Sequence, residues 1–242
     1  MLYSAPQTPP LEVRVSVCLQ LAESVLHVHH LGLVHKNISP MSIAMMKPTG
    51  GSPANHIYQG VLVFLLDWHY VRRASDATNR AGETQWWKGV YCHPKRQMQV
   101  AQEEYNMGHD IYSLGVCMLE VLIWKSLVEF TSQGPQISPM FKEQARHLNI
   151  PERNRVELGM RGVKTESEIY IANPFGVQQV LEELARTRLP PVAGSRLSQL
   201  VVSCLSALEG GFTDLSFDQK DDVETAMNFI VSVKMALAQT FI

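Results

Sequence analysis

Four histidines crowd the first part of the sequence: His27, His29, His30 and His35. Imidazoles at this density are the first candidates for a metal site, and His27 and His30 fall on one face of a helix. No H-E-x-x-H pattern is present, however, and nothing nearby supplies a third ligand. The four cysteines (Cys18, Cys92, Cys117, Cys204) are scattered without a C-x-x-C pair. That argues against a structural zinc site and a disulfide framework, and suits a reducing compartment. Asp67 ends the apolar run "VLVFLLDW" as a lone carboxylate that could hold Mg²⁺ or simply cap a turn. "GGSPAN" could touch phosphate, but its composition is that of a hairpin turn. No G-x-G-x-x-G and no G-x-x-x-x-G-K-[ST] occurs. The expected metal ligand set is therefore none.

The elements that must carry these residues are legible from periodicity. The chain has 242 residues, 45% hydrophobic and 18% charged, which fits a globular chain with a real core. A net charge of -2 gives no basic field for nucleic acid. The start, "MLYSAPQTPPLEV", lacks the basic-then-apolar pattern of a signal peptide, and no uncharged apolar run reaches the roughly 18 residues of a membrane span. These features read as a soluble, cytoplasmic protein. From Leu11 the apolar residues Leu11, Val15, Cys18, Ala22 and Val25, with His29, recur on one helical face, and Gly32 stops the helix. "SIAMMK" and "VLVFLLDW" predict a β-hairpin whose long tip contains "PTGGSPANH". Positions 72–104 read as polar and irregular, with Trp86 and Trp87 as one buried anchor and one exposed ring. "DIYSLGVCMLEVLIW", Asp110–Trp124, is apolar nearly all round and predicts a buried helix. "TSQGPQISP" reads as a chain break, and weaker helical patterns follow at 140–148, 175–187, 196–208 and 219–239. "DQKDD" reads as a solvated helix start.

The order of these pieces resembles a protein kinase, and specifically its C-terminal lobe. Kinases carry H-R-D-L-x-x-x-N, then D-F-G, then A-P-E, then a helix opening D-x-x-S-x-G. Here "VHHLGLVHKNISPMS", "LLDWH", "GVYCHPK" and "HDIYSLGVCMLEVL" follow in that order. The match is clear over 11–130 and weaker over the helical remainder, 131–242, so one kinase-like domain is expected over 1–242. A narrower likeness, in "LGLVHKN", "YCHPKRQ", "YNMGHDIYSLGVCMLEVLIWKSLVEF" and "LVVSCLSAL", is to the kinase-like domain of filamentous-fungal proteins with HeLo-type, prion-inhibition-and-propagation domains. That family is linked to nonself recognition and regulated cell death.

Carried over residue by residue, the resemblance places Asn37 where a kinase has its catalytic base, Ser42 at the metal-binding Asn, and Asp67 at the Mg²⁺-binding Asp. A carboxamide is a poor proton acceptor and a hydroxyl a weak Mg²⁺ ligand. His69 replaces the Gly of D-F-G, and Lys95 reverses the charge of the A-P-E Glu. His35 and Asp110 match positions that fix the kinase core. The 34 residues before His35 hold mostly helix, so the Gly-rich N-lobe that clamps ATP is expected to be absent from this chain. The fold expected is mainly α: a kinase-like C-terminal lobe with a small β-hairpin. The function implied is a catalytically impaired, pseudokinase-like regulatory or protein-interaction module with no cofactor. The alternative is an ATP-dependent Ser/Thr protein kinase domain using Mg-ATP and an N-lobe from elsewhere. Expected partners are an N-lobe-like chain, a second copy, or a cell-death effector domain. They would meet the face around Ile38, Met41, Ile43 and Trp68, unless the leading "MLYSAPQTPP" folds back over it.

Overall fold

The computed structural model describes residues 8–46, 60–76, 83, 85–97, 102–150, 173–209 and 222–241. The first helix, α1 (Leu11–His30), starts behind Pro10, whose carbonyl accepts the amides of Val13 and Arg14, both at 3.2 Å. It ends where Gly32 takes φ +68° and donates its amide to the His29 carbonyl at 2.9 Å. Glycine reaches that left-handed region without a Cβ penalty, which is why it stops the helix here.

Two strands of the expected hairpin follow. β2 (Ile43–Met46) pairs antiparallel with β3 (Leu62–Leu65), in the register Ile43–Leu65, Ala44–Phe64, Met45–Val63 and Met46–Leu62. Its tip, with "GGSPAN", lies outside the described residues. β1 (Leu33–Val34) pairs antiparallel with β4 (Arg72–Arg73). The Gln20 side chain on α1 clamps the hairpin: its Nε2 donates to the Val61 carbonyl and its Oε1 accepts from the Val63 amide, each at 3.0 Å.

A short helix, α2 (Trp86–Gly89), precedes the central helix, α3 (Met107–Ile123). Every residue of α3 from Met107 to Leu122 is buried, so its near-continuous apolar sequence reflects neighbours on all sides. Among the described residues the remaining α-helices are α4 (Pro139–His147), α5 (Pro174–Arg188), α6 (Pro190–Ala193), α7 (Ser195–Leu205) and α8 (Asp222–Ala238). α1 packs between α3 and α8, and α3 also packs on α7, which in turn lies on α5. Gly115 sets the closest approach: a Cβ there would meet the Cys204 Cβ of α7 at 2.6 Å. The architecture is mainly α, that of a kinase-like C-terminal lobe.

Three local expectations are corrected. "TSQGPQISP" is not a break: β5 (Val128–Thr131) and β6 (Gly134–Ile137) form a second hairpin there. Gly134, at φ +104°, makes the tight turn, and Pro135 is tolerated opposite Phe130 in this two-stranded sheet. Segment 72–104 carries β4 and α2 rather than being wholly irregular. Trp86 and Trp87 are both half-buried, edge to face with ring centroids 6.0 Å apart, so neither is the single buried anchor. Of "DQKDD", only Asp222 is described, at the start of α8.

Candidate functional site

The loop after α1 runs between two carboxylates. On its inner side is Asp110, in the first turn of α3 and fully buried. Its Oδ2 accepts the His35 amide at 2.7 Å and faces His29 Nε2 at 3.2 Å. Its Oδ1 accepts the Lys36 amide at 3.0 Å and the Tyr105 hydroxyl at 2.7 Å. Burial pushes the carboxyl pKa up, but the His29 hydrogen bond and charge, the His35 amide and the Tyr105 hydroxyl outweigh it and hold it below the ordinary value. Four donors on one buried carboxylate fix the loop backbone to the central helix. Lys36, at φ +69°, adopts a left-handed conformation under that constraint.

His35 ties the inner side to the outer one. Its Nδ1 accepts the Asn37 amide at 3.4 Å, which leaves the Nε2 proton to donate to the Leu66 carbonyl at 2.8 Å. Burial is the main cause of its lowered pKa, so the ring is kept neutral against the opposing pull of Asp110. Ser42 is fully buried, and its hydroxyl is occupied by the short turn Pro40–Ser42: it accepts the Ser39 amide and donates to the Ser39 carbonyl, both at 3.0 Å.

On the outer side Asp67 sits in left-handed conformation, φ +62°. Its Oδ2 accepts a hydrogen bond from Asn37 Nδ2 at 3.0 Å. Asn37 and Asp67, singled out separately in the sequence, are thus brought together as amide donor and carboxylate acceptor. That geometry does not fit a Mg²⁺ cradle. An N–H directed at Oδ2 competes with a cation, and the Ser42 oxygen is spent within its own turn. Among the described residues, no group of three or more His, Cys, Asp or Glu side chains is placed to hold a metal ion. His27 and His30 are exposed, and His30 Nδ1 lies 2.9 Å from the Leu26 carbonyl. Lys95 pairs with Glu103 near the surface. An ion pair of that exposure is worth about 0–1 kcal/mol.

Below Asn37 a cavity of about 230 Å³ opens between the loop and α2, lined by Lys36, Ser39, Lys88 and Arg96 among others. None of the cationic liners was singled out from the sequence as functional, because Lys and Arg in a polar segment look like solvated surface. Tyr105 and Glu120 were missed as well. Glu120 is fully buried and accepts from Tyr91 Oη at 2.9 Å and from the Leu127 amide. The available signal was a carboxylate in the middle of an otherwise apolar helix, since buried Glu is rare unless paired.

The expected binding face is partly corrected. Ile38 and Ile43 belong to the core, at 2% and 7% exposure. Met41 and Trp68 are exposed, and with Met46, Leu62, Phe64 and Leu66 they lie between 42% and 58% exposed. Met46 pairs across from Leu62, so the outward side of the hairpin is apolar as well as the inward one. No helix among the described residues is long and apolar enough to cross a membrane.

No protein-family model matches the chain. Over 117 residues, 45% of this chain, it is 28% identical to eukaryotic translation initiation factor 2-alpha kinase 1 of Rattus norvegicus. The kinase of that name from Mus musculus is 29% identical over 119 residues. Each match spans 17% of the relative's length. Over 225 residues, 87% of this chain and 64% of the relative, it is 24% identical to a probable cell division protein kinase of Encephalitozoon cuniculi. The chain spans less than two thirds of the length of these curated relatives. It is similar to protein kinases, and the similarity is partial.

Proposed function

We propose that this chain is a kinase-like module that does not transfer phosphate and acts by holding a protein partner. The observation that carries this reading is the Asn37–Asp67 hydrogen bond. At the position where a kinase needs a proton acceptor stands a neutral amide, already donating to the carboxylate that a kinase would give to Mg²⁺. Loss of a positioned base costs about 10²–10⁴-fold in rate, or roughly 3–5 kcal/mol of barrier.

The partner face is the outward side of the β2–β3 hairpin. A strand reading as a continuous apolar run is built for cover on both faces, and this chain's described residues cover one. The occupant that fits is an N-lobe-like unit. The Encephalitozoon kinase extends well beyond the part matched here, which leaves length for such a unit in a relative of this kind. The narrower likeness to fungal HeLo-associated domains supports a role in nonself-recognition signalling, through the motifs around Leu31–Asn37 and Tyr91–Gln97.

The test is incorporation of radiolabelled phosphate into generic Ser/Thr substrates and into the chain itself. No labelling is expected, and millimolar Mg-ATP should leave the melting temperature unmoved. A ligand at a hundredfold excess over its Kd would add about 2.7 kcal/mol. Mg²⁺-dependent labelling that disappears in Asp67→Ala would establish the active Ser/Thr kinase instead.

A further inference from the structure

A second cavity shares no lining residue with the one below Asn37. It opens where the end of α3 meets α4 and α6, and holds about 460 Å³. That volume falls within the roughly 300–1,000 Å³ of small-molecule sites. Its walls are apolar: Ile123 from α3, Pro139 and Met140 from α4, Pro191 and Val192 from α6. Val192 is 44% exposed, so this apolar wall stands open to solvent.

Three charged residues complete the lining: Lys125, Glu143 and Arg188. Arg188 Nη2 donates to Glu143 Oε2 at 3.0 Å and so ties the end of α5 to α4. His147 Nε2 lies 4.0 Å from the other Glu143 oxygen. The apolar residues lie one turn away from this pair: Met140 precedes Glu143 on α4, and Val192 follows Arg188. Lys125 is different. It is exposed and has no ion-pair partner among the described residues. Trp124, in left-handed conformation at φ +57°, turns the chain between Ile123 and Lys125, so both line the groove. A bulky side chain in that region is an outlier held by its surroundings. Two cations against one anion leave the lining with a single surplus positive charge.

We propose that this groove binds a free long-chain carboxylate, with its tail along the apolar walls and its head at Lys125. The charge selects the head group. A phosphate monoester brings about −1.5 to −2 at pH 7, more than the one surplus charge, whereas a carboxylate matches it. The walls select the tail. A peptide would need partners for its backbone groups. Pro139 and Pro191 have no N–H, and the Val192 amide is already given to the Leu189 carbonyl at 3.0 Å. A methylene chain asks for no such partners. The prolines hold the walls apart, and the Met140 thioether adapts to whatever length of tail lies against it. The proposal is independent of the reading of the Asn37 loop.

The experiment titrates the full chain at pH 7 with dodecanoate, below the concentration at which it forms micelles, by isothermal titration calorimetry and thermal shift. One saturable site is expected. Dodecanol and dodecyltrimethylammonium, which lack the negative charge, should bind about tenfold more weakly, and hexanoate should lose at least as much through its shorter tail. Lys125→Gln should weaken dodecanoate several-fold and Lys125→Arg should retain it. Val192→Asp, which puts a charge on the open wall, should weaken it by about tenfold. Glu143→Gln should tighten it, because it removes a like charge and releases Arg188 toward the head group; a gain of that kind cannot come from misfolding. Lys88→Gln, at the other cavity, should change nothing. Equal binding of dodecanol and dodecanoate overturns the proposal, as does indifference to Lys125→Gln or to Val192→Asp. Tighter binding of anionic phospholipid vesicles, or of a peptide ending in an apolar residue, lost in Val192→Asp, would give the groove to that partner and overturn it as well.

Discussion

Asp110 and Asp67 flank one loop and are used in opposite ways. Asp110 is buried, receives four donors, and decides where the loop backbone lies. Asp67 receives one side-chain donor, from Asn37, and stands beside an exposed tryptophan. The contrast teaches that one loop can be pinned along its backbone by a buried carboxylate on one side and met by a single side chain at the carboxylate on the other. The inner carboxylate holds the loop backbone through two amides; the outer one meets the loop through one side chain.

The largest break of the comparison is Asp110→Ala. Removing one partner of a buried, charge-assisted network costs about 3–5 kcal/mol. In a chain of this size that lowers Tm by roughly 2–4 °C per kcal/mol. Urea denaturation should show that loss, whereas Asp67→Ala should cost less than about 1 kcal/mol. Similar losses for the two variants would erase the distinction drawn between them.

Acid comes next. Burial, reinforced by the Lys95 charge, lowers the His93 pKa to about 3, and burial puts His109 well below its usual value. The unfolded chain protonates both near 6.5. Between about pH 6.5 and 3 the unfolded state therefore binds protons that the folded state refuses, and stability falls as pH falls. At pH 4 His93 alone should withdraw roughly 3 kcal/mol relative to pH 7, at about 1.4 kcal/mol per unit. A urea midpoint that holds steady from pH 7 to pH 4 would contradict the buried, neutral histidines.

Asn37→Asp sharpens the outer side. It replaces an amide donor 3.0 Å from Asp67 with a second carboxylate. Two like charges there should cost about 1–2 kcal/mol at pH 7. The pair's folded pKa rises, so the penalty should shrink as pH falls toward 5 and one carboxyl takes a proton. The comparison is the difference in urea midpoint from wild type at the two pH values. Full activity restored by this one change would mean that the base alone had been missing.

The smallest stability effect is expected at the hairpin surface. Phe64→Glu should stay within about 0.5 kcal/mol, as surface changes do, and Trp68→Glu, which also removes the indole N–H donated to the Leu65 carbonyl at 2.8 Å, should cost about 1 kcal/mol; both should lower self-association and capture of an N-lobe-like unit. Light scattering and a binding assay against a kinase N-lobe would check both halves. Unchanged association in both variants would remove the hairpin from consideration as a docking face.

Much of this was legible in residue patterns. Leu11, Val15, Cys18, Ala22 and Val25 announced α1, Gly32 announced its end, and the apolar stretch from Asp110 announced α3, because each is a local matter of period and conformational freedom. The β5–β6 hairpin escaped because Pro135 and Gly134 read as punctuation until the pairing across them is known.

The sequence by itself determined which side chains stand in the loop: an amide at 37, a hydroxyl at 42, carboxylates at 67 and 110. Covalent identity alone makes residue 37 a neutral amide, whatever the fold. Only the tertiary structure decided what those groups do to one another. It set Asn37 to donate to Asp67, spent Ser42 on its own turn, drew Lys36, Lys88 and Arg96 around one cavity, and turned Phe64 outward while Ile38 went in. Those outcomes depend on distances between residues far apart in the chain. Such distances are fixed by the packing of α1, α3 and the hairpin and leave no period in the sequence.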